Sequence, residues 1–131
     1  MAKQTPNMND WLREAKQSEH AADCGMYLFH NGVVRETAKA KVREGAEDTK
    51  PVCGMYFSYD EKKVEEAISK TYELPGIFYV KVWLNEGQLE VGDDIMLVLI
   101  GGDIRPNVID ALQFLVGTVK NTCVIEKEIY E

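Results

Sequence analysis

Apolar side chains recur at three- and four-residue intervals in three stretches of the chain and alternate or run together in five others. That pattern predicts helices and strands in the order α-β-β-α-β-β-α-β. Met8, Trp11, Leu12 and Ala15, then Ala21 and Ala22, stand among polar neighbours and read as an amphipathic helix over 8–22. The chain hands over near Cys24 and Gly25 to a strand over 26–34. A second strand is expected over 52–59. Asp60 is a good N-cap for a helix over 60–72 whose buried stripe is Val64, Ala67 and Ile68, and Leu74-Pro75-Gly76 ends it. Ile77–Leu84 and Ile95–Ile100 are the most strand-like runs, separated by the turn-rich NEGQLEVGDD, and both are expected at the centre of a sheet. Pro106 suits the first turn of a helix that carries Val108, Ile109, Leu112, Leu115, Val116 and Val119 up to Lys120. The alternation in CVIEKEIYE predicts a closing edge strand. With no internal repeat, this order implies a single α+β domain over 1–131, its helices packed on a mainly antiparallel sheet. Residues 1–7 are expected to be disordered. The charged stretch 36–51, nearly free of large apolar groups, is expected to be a mobile loop and a candidate active-site flap.

Composition narrows the function. A chain of 131 residues, 45% hydrophobic and 28% charged, fits one soluble globular domain. No apolar run approaches the roughly 20 residues that cross a bilayer. The polar start lacks the features of a secretory or transit segment, so a cytoplasmic location is expected. Cys24, Cys53 and Cys123 form no C-x-x-C pair and suit a reducing compartment. His20 and Cys24 are four apart, but no second pair has ligand spacing, so no metal is expected. The net charge of -7 argues against binding along a nucleic-acid backbone. An anionic ligand would need a local cluster of cations.

Arg105, Lys120 and Lys127 are candidates for such a cluster. A helix rising about 1.5 Å per residue would separate Arg105 from Lys120 by roughly 22 Å. A turn at Asn121 and Thr122 could return Lys127 beside Lys120. Two ammonium groups brought together disfavour each other's protonation, and a lysine so depressed can act as base or nucleophile. The alternative, favoured by physics alone, is a pair of solvated lysines at a helix C-terminus and a strand edge. Arg35 and Arg105 likewise read either as anion ligands or as surface ion pairs with Glu36 and Asp103. Glu47, Asp48, Glu65 and Glu66 read as solvated acidic faces.

The spacing 105 to 120 to 127, ending in Val124-Ile125-Glu126-Lys127-Glu128, resembles the C-terminal pattern of the molybdopterin synthase catalytic (large) subunit family. That pattern is an arginine, a helix, a lysine, and a second lysine inside a segment similar to P-I-W-K-K-E. Gly25–Arg35 is similar to the family's G-A-x-x-x-F-x-G-x-V-R, with Gly32, Val34 and Arg35 in register and His30 at a usually aromatic position. Gly87–Asp93 is similar to its G-x-L-x-x-G-(D/E) hairpin. The chain departs from the pattern at Leu84-Asn85 (His-Arg in the family), Ile104 (His), Glu126 (Trp) and Phe57-Ser58 (Tyr-Glu).

The resemblance implies an α/β hammerhead-type fold that forms a homodimer and receives the Gly-Gly C-terminus of a small ubiquitin-like sulfur-carrier subunit. The carrier's thiocarboxylate gives sulfur to cyclic pyranopterin monophosphate, forming the molybdopterin dithiolene, with no metal or other cofactor. Carried over, Lys120 and Lys127 would be catalytic, Arg35 and Arg105 would bind the substrate's anionic groups, and His30 would be a pocket wall or proton donor, the residue alone reading first as a partly buried, satisfied histidine. The departures imply the alternative of a non-catalytic homologue that binds a carrier-type tail or other anionic ligand as a dimer.

Overall fold

A computed structural model describes residues 3–45 and 50–130. Its elements are α1 (Met8–Lys16), β1 (Met26–Val33), α2 (Lys39–Glu44), β2 (Val52–Tyr59), α3 (Glu61–Tyr72), β3 (Ile77–Leu84), β4 (Gly87–Glu90), β5 (Asp94–Gly102), α4 (Arg105–Thr118) and β6 (Val124–Tyr130). The strands form two three-stranded antiparallel sheets, β1-β5-β3 and β4-β2-β6. The protein is α+β with helices packed on antiparallel sheets. No helix among the described residues is long and apolar enough to cross a membrane.

The continuous apolar run of β5 requires cover on both faces, and the fold supplies it. On one face Met96, Val98 and Ile100 join Val108, Ala111 and Leu115 of α4 and Val64 and Ala67 of α3 in the main core. On the other, Leu97 and Leu99 are covered by Trp11 and Ala15 of α1. Each of these fully buried leucines contributes about 1.5–3 kcal/mol. Asn7 starts α1 by accepting from the backbone N–H groups of Asn9 and Asp10, and Asp60 caps α3 by accepting from that of Lys63. Gly76 follows α3 at φ 74°, where a side chain would strike the Asp103 carboxylate.

Several expectations need correction. β5 is central, but β3 pairs with β5 alone and forms a sheet edge. The first helix stops at Lys16, because the Ser18 hydroxyl takes the Ala15 carbonyl, and 21–23 form a separate 3-10 turn. Four of the residues read as a turn, Gly87–Glu90, form β4 against β2. The segment expected to be a loop over 36–51 carries α2, anchored by buried Ala38, while 46–49 lie outside the described residues. Residues 3–7 lie against the body of the fold: the Lys3 backbone N–H donates to Asn85 Oδ1 and the Thr5 hydroxyl to Asp94 Oδ2.

The change with most consequence lies beyond α4. The helix widens into a π turn over Val119–Cys123, where the Thr122 hydroxyl donates to the Thr118 carbonyl at 2.7 Å. Such single wide turns are rare and frequently stand at functional sites; this one closes α4 and hands the chain over to β6.

Candidate functional site

Side chains of a strand alternate between faces, so the register of β6 decides what it offers. Val124, Glu126 and Glu128 pair with Tyr59, Phe57 and Met55 on the inner face of β2. Lys127 pairs with Tyr56 and Ile125 with Ser58 on the outer face. Tyr56, Ile125 and Lys127 are exposed.

The inner face borders a cavity of about 850 Å³, an ordinary size for a small-molecule site. His30, Gly32 and Val33 of β1, with Arg35 just beyond, form one side. Val116, Gly117 and Lys120 at the end of α4 and in the π turn form the floor, and Glu126, Glu128 and Tyr130 form the β6 wall. Lys39 and Arg43 of α2 also line it. Two glycines keep it open. A side chain at Gly32 would meet Met96 at 3.2 Å and approach His30 Nε2, and Gly117 has nothing near its missing Cβ.

Within this cavity Lys120 Nζ donates to Glu126 Oε1 at 2.5 Å, the lysine side chain one-third exposed and the carboxylate 15% exposed. Glu128 accepts from the Lys39 backbone N–H at 2.9 Å and from the Tyr130 hydroxyl at 2.9 Å, which ties the start of α2 to β6. The Arg35 Nε donates to the Thr37 carbonyl at 2.9 Å. That uses one of five guanidinium N–H donors, with the others available to an anion. His30 titrates below its ordinary value because burial penalises the imidazolium, with Lys120's positive charge adding to the effect. Neutral at neutral pH, it can donate from one ring nitrogen and accept at the other.

The structure thus brings together His30, Arg35 and Lys120, and leaves Lys127 and Arg105 elsewhere. The pair of ammonium groups expected of Lys120 and Lys127 does not form: Glu126, bonded to Lys120, stands on the cavity side of β6, and Lys127 stands on the other. Arg105 opens α4, eleven residues from Val116 and so roughly 17 Å from the cavity floor. Asp103, considered as its ion partner, instead accepts from the Ile104 backbone N–H at 2.6 Å and from Asn107 Nδ2 at 2.9 Å. The Asn107 bond, then the Ile104 bond, holds its carboxyl below the usual range.

Sequence reading missed Lys39, Arg43, Glu126 and Glu128. The spacing of Lys39 and Arg43 was a usable signal, since residues four apart share one face of a helix. Glu126 and Glu128 share one face of β6 by simple alternation.

Comparison with known proteins decides the family. The sequence profile described as MoaE protein matches residues 3–122. The chain belongs to the MoaE protein family. This agrees with the resemblance carried by Gly25–Arg35, Gly87–Asp93 and the C-terminal spacing. The fold is shared with the molybdopterin synthase of Staphylococcus aureus at 20% identity and a TM-score of 0.73, over 96% of this chain and 87% of that one. It is shared with the molybdopterin biosynthesis MoaE protein of Burkholderia ambifaria at 16% identity and a TM-score of 0.71, over 98% and 85%. A protein–protein complex of subunits 1 and 2 of molybdopterin-converting factor from Helicobacter pylori also contains a similar chain, with 18% identity, a TM-score of 0.63, and coverage of 95% and 84%. No curated protein matches the chain by sequence.

Proposed function

We propose that this MoaE family member acts in molybdenum cofactor biosynthesis as the large subunit of a molybdopterin synthase-type sulfurtransferase. A small ubiquitin-like carrier inserts its Gly-Gly C-terminus, and its terminal thiocarboxylate gives sulfur to cyclic pyranopterin monophosphate to build the dithiolene. Family membership supports the role in cofactor biosynthesis. The Helicobacter pylori complex of two subunits supports a small partner.

The observation that carries the reading is the cavity itself, where the cations Arg35, Lys39, Arg43 and Lys120 outnumber the carboxylates Glu126 and Glu128 on a protein of net charge -7. Such a local concentration of positive charge is what a phosphate and a thiocarboxylate require. In this reading Arg35 binds the substrate's anionic group. Lys120 is the cation at the reacting centre, and neutral His30 exchanges a proton with the reacting groups. Lys127 and Arg105 stand apart from this site within one chain, Lys127 on the exposed outer face of β2 and β6, and a homodimer is part of this reading.

The outward position of Lys127 favours a second reading, a non-catalytic homologue that binds a carrier tail or another anionic ligand. One assay separates the two. Purified protein is mixed with a thiocarboxylated carrier and cyclic pyranopterin monophosphate, and molybdopterin is measured. Product formation is expected. Carrier binding without product would reject sulfur transfer in favour of the binding role.

A further inference from the structure

The cavity joins two side chains that sequence spacing did not pair, the Lys120 ammonium and the Glu126 carboxylate. Glu126 is well placed to hold a partner. Its strand neighbour across β6 and β2 is Phe57, which is fully buried, and its own side chain is 15% exposed. Lys120 lies in the π turn on a flexible four-carbon stem, one-third exposed. Such a stem samples many rotamers unless a fixed partner selects one. The other carboxylate on this wall, Glu128, is already engaged by the Lys39 backbone N–H and the Tyr130 hydroxyl.

We propose that Glu126 is a positioning residue of the site, its carboxylate holding the Lys120 ammonium over the cavity beside His30. The chain therefore runs its site on a lysine–glutamate couple, where the family pattern of a tryptophan followed by a lysine led one to expect a pair of lysines. The inference rests on the cavity being the substrate site proposed above, but its test uses the protein without substrate, so the two ideas fail separately.

His30 reports where the Lys120 charge sits, because that charge helps to lower its titration. The groups facing His30 across the cavity are Lys120 from the π turn, Arg35, Lys39 and Arg43, and Glu126, Glu128 and Tyr130 from β6. The His30 titration is followed by NMR in the wild type, Lys120→Gln, Glu126→Gln and the double variant. Any direct effect of the Glu126 charge cancels when the shift caused by Lys120→Gln is compared with and without Glu126. Lys120→Gln is expected to raise the His30 midpoint when Glu126 is present, and to raise it by less than half as much in the Glu126→Gln background. Glu126→Asp, which keeps the carboxylate, is expected to restore most of the coupling. Equal shifts in both backgrounds would overturn the proposal.

A measurement on the wild type alone guards against a variant that fails to fold. An ammonium held by a carboxylate exchanges its hydrogens slowly, so a persistent 15N resonance of the Lys120 ammonium is expected. Its absence in the intact protein would overturn the proposal as well.

Discussion

The two faces of β6 carry charges of opposite sign and stand in different surroundings. Inward, Glu126 and Glu128 stand beside Val124 on the wall of a charged cavity, over Phe57 and Met55. Outward, Lys127 stands with Ile125 and Tyr56 on an open sheet surface. Neighbouring residues differ because a strand alternates sides with a period of two, so a one-residue change of phase exchanges the whole set. The register of β6 on β2 fixes that phase here. An interval counted along the chain is therefore not an interval in space: Lys120 and Lys127 keep the spacing on which the resemblance rests, yet only Lys120 reaches the cavity.

The largest expected effect tests what supports the inner face. Phe57 is fully buried beneath Glu126, and Phe57→Ala should cost about 3–5 kcal/mol in urea unfolding through the lost contacts and the cavity left behind. A cost below about 1 kcal/mol would mean that the inner face is not a packed support.

Next in size is the effect of a cation on the rim. Arg35→Ala should weaken binding of cyclic pyranopterin monophosphate about ten-fold or more, measured by calorimetry, since a charge-assisted hydrogen bond contributes about 1.5–3 kcal/mol. Unchanged affinity would move the anion site away from the β1 side of the cavity.

The smallest effect concerns pH. His30's folded pKa lies below its ordinary value of 6.5, for reasons of burial first and Lys120 second. The unfolded chain thus binds the proton more readily, and stability falls as pH drops from the ordinary value toward the lowered one. Thermal unfolding should show a loss between neutral and mildly acidic pH that His30→Gln reduces. An identical pH dependence in both proteins would place the charge-sensitive group elsewhere.

Much of the fold was legible because local periodicity determines it. β2, β3 and α3 end within a residue or so of where alternation, the Asp60 cap and Pro75-Gly76 put them. What was not legible depends on partners distant in sequence. Ile77–Leu84 is as apolar as a central strand because helices cover both its faces, yet it forms an edge because only β5 pairs with it. β4 is only four residues long and exists by pairing with β2. α2 lacks the apolar stripe that reveals a helix, and its docking rests on Ala38 and on Glu128 receiving its first N–H.

The site divides in the same way. His30 and Arg35 share one strand and its continuation, so their common place follows from local sequence. Lys120 was visible as the end of an apolar helix. Lys127 faces away from Lys120 because the register of β6 is decided by its pairing with β2, a partner distant in sequence. Lys39 and Arg43 were hidden inside a stretch that reads as solvated charge.

The most direct test sets Lys120→Ala beside Lys127→Ala in molybdopterin formation from a thiocarboxylated carrier and cyclic pyranopterin monophosphate. Lys120→Ala should lower the rate by about 100-fold or more, the scale of a lost group at a reacting centre, while Lys127→Ala should stay within about three-fold of the parent. If Lys127→Ala instead loses as much as Lys120→Ala, the outward face of β6 serves the reaction and the division between its two faces is contradicted.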